Sequence, residues 1–191
     1  MRKLLARIVL FMACTLTSGM IAAQAPDVDP ELRTLLKQAI SDAASFEDRF
    51  AAEVWLTDMS NRLAKHVASP DERLTILKAV HAEAGRSNLP PELVLAVIEV
   101  ESAFDRFAVS EAGARGLMQV MPFWLDEIGR PEDNLFHIET NLRLGCTILR
   151  YYMDREKGNL LKALARYNGS VGHRWYADRV YARLSSKWYR Q

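Results

Sequence analysis

One carboxylic acid, Glu101, stands where a strongly apolar segment ends, shortly before a loop that contains Gly113 and Gly116. Apolar surroundings disfavour a carboxylate, because burial removes water from the charge. The partial negative charge at a helix C-terminus acts in the same direction. The pKa of Glu101 should therefore lie well above that of a free glutamate. Such a group is suited to act as a general acid on an ether or acetal oxygen.

A helix that begins near Pro90 must position this acid. Proline is tolerated in the first turn of a helix, and Glu92 complements the positive end of the helix dipole. Apolar residues then recur at intervals of three and four, the pattern of a core-facing stripe; they are Leu93, Val94, Val97, Ile98 and Phe104. Glu101 falls on this stripe. Glu99 lies about 200° around the helix, so the pattern predicts a solvated side chain for Glu99.

The residues alone leave alternatives open for Glu101. An ion pair with Arg106 or Arg115 would explain a buried glutamate without any catalytic role. Hydrolases that cut glycosidic bonds usually use two carboxylates. Asp105 and Glu111 follow Glu101 closely in the sequence, so either could supply a second catalytic carboxylate.

The hydrophobic pattern predicts helices through almost the whole chain and no run of alternating strand residues. At 191 residues with 49% apolar content, the chain can bury one sizeable core. A small β excursion is expected at most around the two loop glycines. The predicted helices are 30–44, 45–67, 71–84, the apolar helix from about 90, then 122–128, 138–157, 159–167 and 171–188. The second of these carries Phe46, Phe50, Val54 and Leu63 at helical intervals.

Three segments in this order resemble the lytic transglycosylase (SLT) family of the lysozyme-like superfamily: ESAF at 101–104, GARGLMQVMP at 113–122 and RYNGS at 166–170. The resemblance extends over about 79–188. It implies a mainly α protein, with a lysozyme-like helical domain at 80–191 and little or no β structure. Residues 24–79 would form an N-terminal helical extension, for which no family resemblance is found.

The resemblance also implies an activity, which is non-hydrolytic cleavage of the β-1,4 bond between N-acetylmuramic acid (MurNAc) and N-acetylglucosamine (GlcNAc) in peptidoglycan. Glu101 would act as acid and then as base, leaving a 1,6-anhydroMurNAc end. The residues implied in substrate binding are Ser110, Gln119, Met121, Tyr167 and Asn168. In this chain YNGSVG replaces the commoner YNAGPG of the family, so the resemblance does not define the shape of the loop after Asn168. A hydrolytic muramidase and a non-catalytic peptidoglycan-binding or assembly protein are the alternatives.

Residues 1–23 have the pattern of a secretory signal, with a basic start at Arg2, Lys3 and Arg7 and an apolar stretch too short to span a bilayer comfortably. Cleavage after Ala23 is preferred over Ala25, and an uncleaved anchor is the alternative. A lipoprotein at Cys14 is disfavoured, because too few apolar residues precede it. The expected location is the periplasm or the cell envelope.

Removal of the signal would leave Cys146 alone, so no intramolecular disulfide is expected. Its apolar neighbours predict a small buried hydrophobic residue. The histidines are too scattered for a metal site; they are His66, His81, His137 and His173. No cofactor is expected.

Charge separates along the chain. Without residues 1–23, 22 basic and 24 acidic residues give a net charge of −2, whereas residues 141–191 hold 11 basic and 3 acidic residues, a net of +8. A basic section of this kind suits an anionic polymer such as a cell-wall glycan with carboxylated peptide stems. Nucleic acid is a poor candidate, because no binding motif accompanies the export signal. An envelope-associated protein partner and the oligomeric state are left open.

Overall fold

In a computed structural model, residues 48–189 are described, and they form seven α-helices followed by one π-helical turn. Within that range the extended structure is limited to two isolated β-bridges, Val109 with Arg115 and Arg115 with Val120. The predicted mainly α class is therefore confirmed. The helices are α1 Arg49–Leu63, α2 Pro70–Arg86, α3 Pro91–Ser102, α4 Phe123–Ile128, α5 Ile138–Arg155, α6 Leu160–Asn168 and α7 Trp175–Arg183, and the π-helical turn is Leu184–Trp188.

Some predictions concern residues outside the described part of the chain. They are the signal at 1–23, the lipoprotein question at Cys14 and the helix at 30–44. Between residues 48 and 189, no helix combines the length and the apolar character needed to cross a membrane.

Helix α3 is the centre of the protein. Its residues 93–98 are all buried, because α2, α7 and the π-helical turn pack around it. A helix that is apolar on most of its circumference is expected in such a position. The predicted core stripe is confirmed, and it belongs to a wider buried surface. The helix ends where Ala103 and Phe104 adopt positive φ angles of 49° and 69°.

Helix α1 buries a different side from the one its sequence suggested. The apolar repeat that includes Phe50 does not mark the buried side, since the Phe50 side chain is 72% exposed. The buried side instead starts at Ala52, which lies two residues further on and therefore about 200° around the helix from Phe50. That side faces the shared core, and its members are Ala52, Leu56, Met59 and Leu63.

Helix α2 runs without a break through residues 79 and 80, the predicted boundary between extension and domain. Its buried residues Ile76, Leu77 and Val80 belong to the same hydrophobic cluster as α3. The domain division at this point stays a prediction.

The last helix begins later than its sequence suggested. A helix from residue 171 is wrong, because the chain turns until Trp175. Gly169 and Gly172 have φ angles of 81° and 86°, in the left-handed region that interrupts a right-handed helix. After Arg183 the chain widens into the π-helical turn, which buries Trp188 completely.

Candidate active site

Glu101 lies in the last turn of α3 and is half-buried. Burial raises the pKa of its carboxyl group from 4.5 to about 7, and a hydrogen bond from Tyr176 opposes part of that rise. The Tyr176 hydroxyl donates to Glu101 Oε1 at 2.5 Å. The predicted rise in the pKa is thus confirmed, and the cause is desolvation by the apolar core. A carboxyl group with a pKa near neutrality can both give and take a proton.

Neither arginine considered as a partner forms an ion pair with Glu101. The Arg106 guanidinium lies 4.5 Å from the ring centroid of Phe107, and that of Arg115 lies 5.9 Å from the ring centroid of Phe136. Within residues 48–189, no basic side chain comes within ion-pair distance of Glu101. The ion-pair alternative is therefore wrong.

Tyr176 is a site residue that the sequence did not reveal. It lies in the first turn of α7, is 1% exposed, and meets Glu101 across a separation of 75 residues. Burial, followed by the charge of Glu101, raises the pKa of Tyr176 well above 10, so its hydroxyl stays a donor. In the sequence, Tyr176 is only one member of the apolar side of α7, with Ala177 and Val180. No local pattern distinguishes it.

Tyr167, one of the residues expected in substrate binding, hydrogen-bonds to the loop 113–122. Its hydroxyl donates to the backbone oxygen of Met118 at 2.8 Å and not to Glu101. Burial raises the pKa of Tyr167 well above 10, with the Glu101 charge as the next cause, so the two side chains are close. The hydroxyl that hydrogen-bonds to Glu101 is that of Tyr176. Asn168 is the exposed last residue of α6.

The loop 113–122 is fixed by side chains from three helices. Ser102 Oγ of α3 donates to Leu117 O at 2.8 Å. Asn141 Oδ1 of α5 accepts from Met118 N at 2.8 Å, and Tyr167 of α6 binds the oxygen of the same residue. Two neighbouring residues of the loop are thus held next to the end of the helix that carries Glu101.

Asn141 was also missed by the sequence analysis. It is 1% exposed, and its amide nitrogen donates to Arg115 O and to Leu135 O, both at 2.8 Å. The signal available in the sequence was a polar residue within the apolar stripe of α5. Gly116 allows this approach, because a Cβ atom there would lie 2.4 Å from Asn141 Nδ2 and its φ is 74°.

The remaining expected site residues lie in the same loop or just before it. Gln119 Nε2 donates to Ala108 O at 3.2 Å and to Gly116 O at 3.0 Å, so the amide folds back on the loop. Ser110 is exposed, and its Oγ accepts from Ala114 N at 3.0 Å, which leaves its O–H available to donate elsewhere. Met121 is half-buried just before α4.

Neither of the other two acids considered is buried with Glu101. Asp105 is exposed and its Oδ1 accepts from Phe107 N at 2.8 Å, which caps a turn. Glu111 is exposed as well. The acid with the raised pKa is Glu101.

The solvated position predicted for Glu99 is wrong. Its side chain is 6% exposed, because the π-helical turn covers the side of α3 opposite Glu101. Lys187 Nζ donates to Glu99 Oε1 at 2.5 Å and Trp188 Nε1 donates to Oε2 at 2.8 Å. Arg183 Nε lies 3.5 Å from Oε1.

Cys146 is fully buried, as predicted, and burial raises the pKa of its thiol to about 12. Gly145, beside it, lets α5 approach the loop, since a Cβ atom would lie 2.5 Å from Met118 Sδ. In the described range 48–189, no group of three or more His, Cys, Asp or Glu side chains is placed to hold a metal ion.

The helical core thus places Glu101, whose pKa is raised, beside a loop that side chains hold in place. This arrangement is suited to acid–base chemistry. The sequence model of the transglycosylase SLT domain matches residues 78–188, and the chain belongs to this family.

Individual relatives match about half of the chain. A membrane-bound lytic murein transglycosylase C of Histophilus somni (strain 2336) is 40% identical over 102 residues, which are 49% of this chain and 28% of the relative. A transglycosylase of Enterobacteria phage PRD1 is 34% identical over 94 residues, 49% of this chain and 34% of the relative. The chain spans about a third or less of these relatives. The lytic transglycosylase Slt of Pseudomonas aeruginosa aligns with 76% of this chain and 30% of its own at 23% identity, with a TM-score of 0.46.

Proposed function

We propose that the protein is an exported lytic transglycosylase that cleaves the MurNAc–GlcNAc β-1,4 bond of peptidoglycan in the periplasm or cell envelope. One observation carries the proposal, namely a single desolvated carboxyl group, Glu101, with a pKa of about 7. Membership of the transglycosylase SLT family supports it. Relatives that match this chain carry the name lytic murein transglycosylase.

In the first proposed step, Glu101 donates its proton to the glycosidic oxygen while the bond from that oxygen to the MurNAc anomeric carbon breaks. The 2-acetamido carbonyl oxygen of MurNAc stabilises the positive charge that develops on the anomeric carbon. Glu101 becomes a carboxylate in a site that disfavours charge. The Tyr176 hydroxyl, which already donates to Oε1, stabilises that anion.

In the second step, the 6-hydroxyl oxygen of the same MurNAc attacks the anomeric carbon and its proton passes to the Glu101 carboxylate. The product ends in 1,6-anhydroMurNAc, and the acid is restored. A group that must both donate and accept works best when its pKa lies near the working pH. The pKa of about 7 meets this requirement with one residue.

The substrate-binding roles form part of the same proposal. Ser110 would donate to the acetamido group, since its oxygen already accepts within the loop. Gln119 and Met121 would line the saccharide groove. Tyr167 would act through the loop that it holds, with Asn168 at the exposed end of α6.

The test is a digest of purified sacculi followed by mass spectrometry of the products. The proposed reaction gives chain ends lighter by the mass of one water than the reducing ends left by a muramidase. Glu101→Gln keeps the side-chain shape and removes the proton, so it should lower the rate by about a thousandfold. Reducing ends would favour a hydrolytic muramidase, and an equal rate in Glu101→Gln would contradict a catalytic Glu101. Binding of sacculi without digestion by either protein would favour a wall-binding protein.

A further inference from the structure

A cluster of charged side chains joins the π-helical turn to α1 and α3, on the side of α3 opposite Glu101. Lys187 lies at its centre. The backbone oxygen of Lys187 accepts a hydrogen bond from Arg62 Nη1 of α1, and Lys187 Nζ donates to Glu99 Oε1 of α3 at 2.5 Å. The same Nζ lies 3.3 Å from Nε2 of His66, in the turn that follows α1. Lys187 therefore connects the π-helical turn to two other helices.

The contact between Lys187 and His66 requires one protonation state of the imidazole. A lysine ammonium has three donors and no acceptor, so His66 Nε2 must accept. Nε2 can accept only without a proton, which places the single ring proton on Nδ1 and leaves the ring neutral. Burial, followed by the Lys187 charge, lowers the pKa of His66 and favours this neutral form, while Glu99 opposes part of the effect.

Among the charges that shift the pKa of His66, cations outnumber acids. Lys187 and Arg183 act from the C-terminal helical stretch and Lys65 acts from the neighbouring position, and all three lower the pKa. Glu99 of α3 raises it. The other charged groups around the cluster are Asp58, Arg62, Glu72, Asp105 and Arg106. A positive charge on His66 therefore meets more repulsion than attraction from the groups that act on it.

Protonation of His66 would break the contact that the neutral ring makes. Nε2 would carry a hydrogen and a positive charge, and both would face the ammonium of Lys187. Glu99 Oε1 lies 3.8 Å from His66 Nε2, but it already accepts from Lys187. The charged imidazole can take Glu99 as its partner only if Lys187 withdraws, and Lys187 belongs to the turn that this cluster holds in place.

We propose that His66, Lys187 and Glu99 form a pH-sensitive latch. With His66 neutral, the latch holds the π-helical turn against α1 and α3. With His66 protonated in acid, the latch loosens and the turn opens more often. This inference goes beyond the proposed function, because the latch lies on the side of α3 opposite Glu101 and takes no part in the proton transfers proposed there.

The tautomer of His66 is the first test, and it needs only the parent protein. Two-dimensional NMR spectra of the imidazole nitrogens, recorded on the full chain at pH 7.5, distinguish a protonated from an unprotonated ring nitrogen. The expected result is a neutral His66 ring with its proton on Nδ1 and none on Nε2. A proton on Nε2 at this pH would overturn the latch, because that nitrogen could not accept from Lys187.

Amide hydrogen exchange is the second test. The Tyr189 amide donates to Leu184 O at 2.7 Å and closes the π-helical turn, so its protection factor reports how often the turn opens. The pKa of His66 lies below 6.5 in the closed form and returns towards that value on opening, so the open form binds the proton more readily. The factor should therefore fall about fivefold from pH 7.5 to pH 5.5 in the parent.

The variant His66→Gln keeps an oxygen that can accept from Lys187, but it does not titrate. Its protection factor at Tyr189 should change by less than about twofold over the same pH range. The matched control is His137→Gln, which replaces an exposed histidine before α5 and should reproduce the fall seen in the parent.

A protection factor that stays constant in the parent, or an equal fall in His66→Gln and the parent, would overturn the latch. Loss of the fall in His137→Gln would do the same, since the pH dependence would then not belong to His66. Neither measurement uses catalytic activity, so their outcome is separate from that of the sacculus digest.

Discussion

Glu99 and Glu101 lie two residues apart on the same helix, and both are withdrawn from water. On one side of α3, Glu99 accepts hydrogen bonds from Lys187 and Trp188 and lies 3.5 Å from Arg183. On the other side, Glu101 accepts one hydrogen bond, from the Tyr176 hydroxyl. The first acid meets positive charge, whereas the second meets a neutral donor.

The difference shows that burial alone does not make a glutamate a general acid. A buried carboxylate that is paired with cations can fasten one element to another. Here it fastens the π-helical turn to the central helix. Glu101 lacks such compensation, so desolvation dominates and raises its pKa to about 7. The four predictions below test this contrast.

The largest effect on stability is expected for Glu99→Gln. The change removes the negative charge and leaves Lys187 and Arg183 beside an uncharged amide, so it should lower the free energy of unfolding by ~3 kcal/mol. Urea denaturation at pH 7 measures this loss. Glu53→Gln on exposed α1 is the control and should stay within ~0.5 kcal/mol of the parent. Equal stability of Glu99→Gln and the parent would remove the contrast between the two acids.

At alkaline pH, Glu101→Gln should raise the free energy of unfolding, whereas Glu99→Gln lowers it. The folded pKa of about 7 exceeds the unfolded value of 4.5, so the folded chain binds more protons between these values and the parent loses stability as pH rises through them. The glutamine variant lacks this loss. Compared with the parent, it should therefore gain ~2 kcal/mol between pH 4 and pH 8, allowing for partial solvation of the site.

The measurement is a pair of urea denaturation series, one for each protein, at both pH values. The comparison between pH values cancels any constant cost of the amide. An unchanged difference between pH 4 and pH 8 would mean that Glu101 ionises like an exposed glutamate.

Tyr176→Phe removes the donor that favours the anionic form of Glu101. The pKa of Glu101 should therefore rise further, and the fall in kcat/KM on the alkaline side should move upward by about half a pH unit to one unit. We also expect kcat to fall roughly tenfold, because the carboxylate formed in the first step loses its partner. The pH profile separates this positioning role from a loss of stability, which would lower activity without moving the profile.

The smallest effect is expected for Arg183→Ala. Arg183 Nε is 3.5 Å from Glu99 Oε1 and its side chain is 49% exposed, so water competes for the Arg183 charge. The free energy of unfolding should fall by only about 0.5 kcal/mol. Lys187, at 2.5 Å, would remain as the principal cation. A loss as large as that of Glu99→Gln would assign Arg183 a larger share of the cluster than its exposure allows.

Sequence periodicity predicted most of the fold. The stripe from Leu93 to Phe104 and the placement of Glu101 on its apolar side are both found in the structure. The errors arose where packing between distant elements, and not the local sequence pattern, determined which side chains are buried. Phe50 was assigned to a buried side because it repeats at helical intervals, whereas the shared core selected the side that starts at Ala52.

Glu99 was assigned to water on the assumption that a helix with an apolar stripe also has a solvated side. The π-helical turn covers that side of α3. Tyr176 and Asn141 were missed for a related reason. Each looks ordinary in its own helix, and each acquires its role from groups on other elements.

The sequence by itself determined the helices, the apolar side on which Glu101 lies and the order of the family's segments, because these depend on neighbours within a few residues. Tertiary structure alone decided which groups meet the two acids. Tyr176 is 75 residues from Glu101, and Lys187 is 88 residues from Glu99. The ionisation of a buried carboxyl group depends on the charges and donors that surround it in space, and folding brings those together from distant parts of the chain.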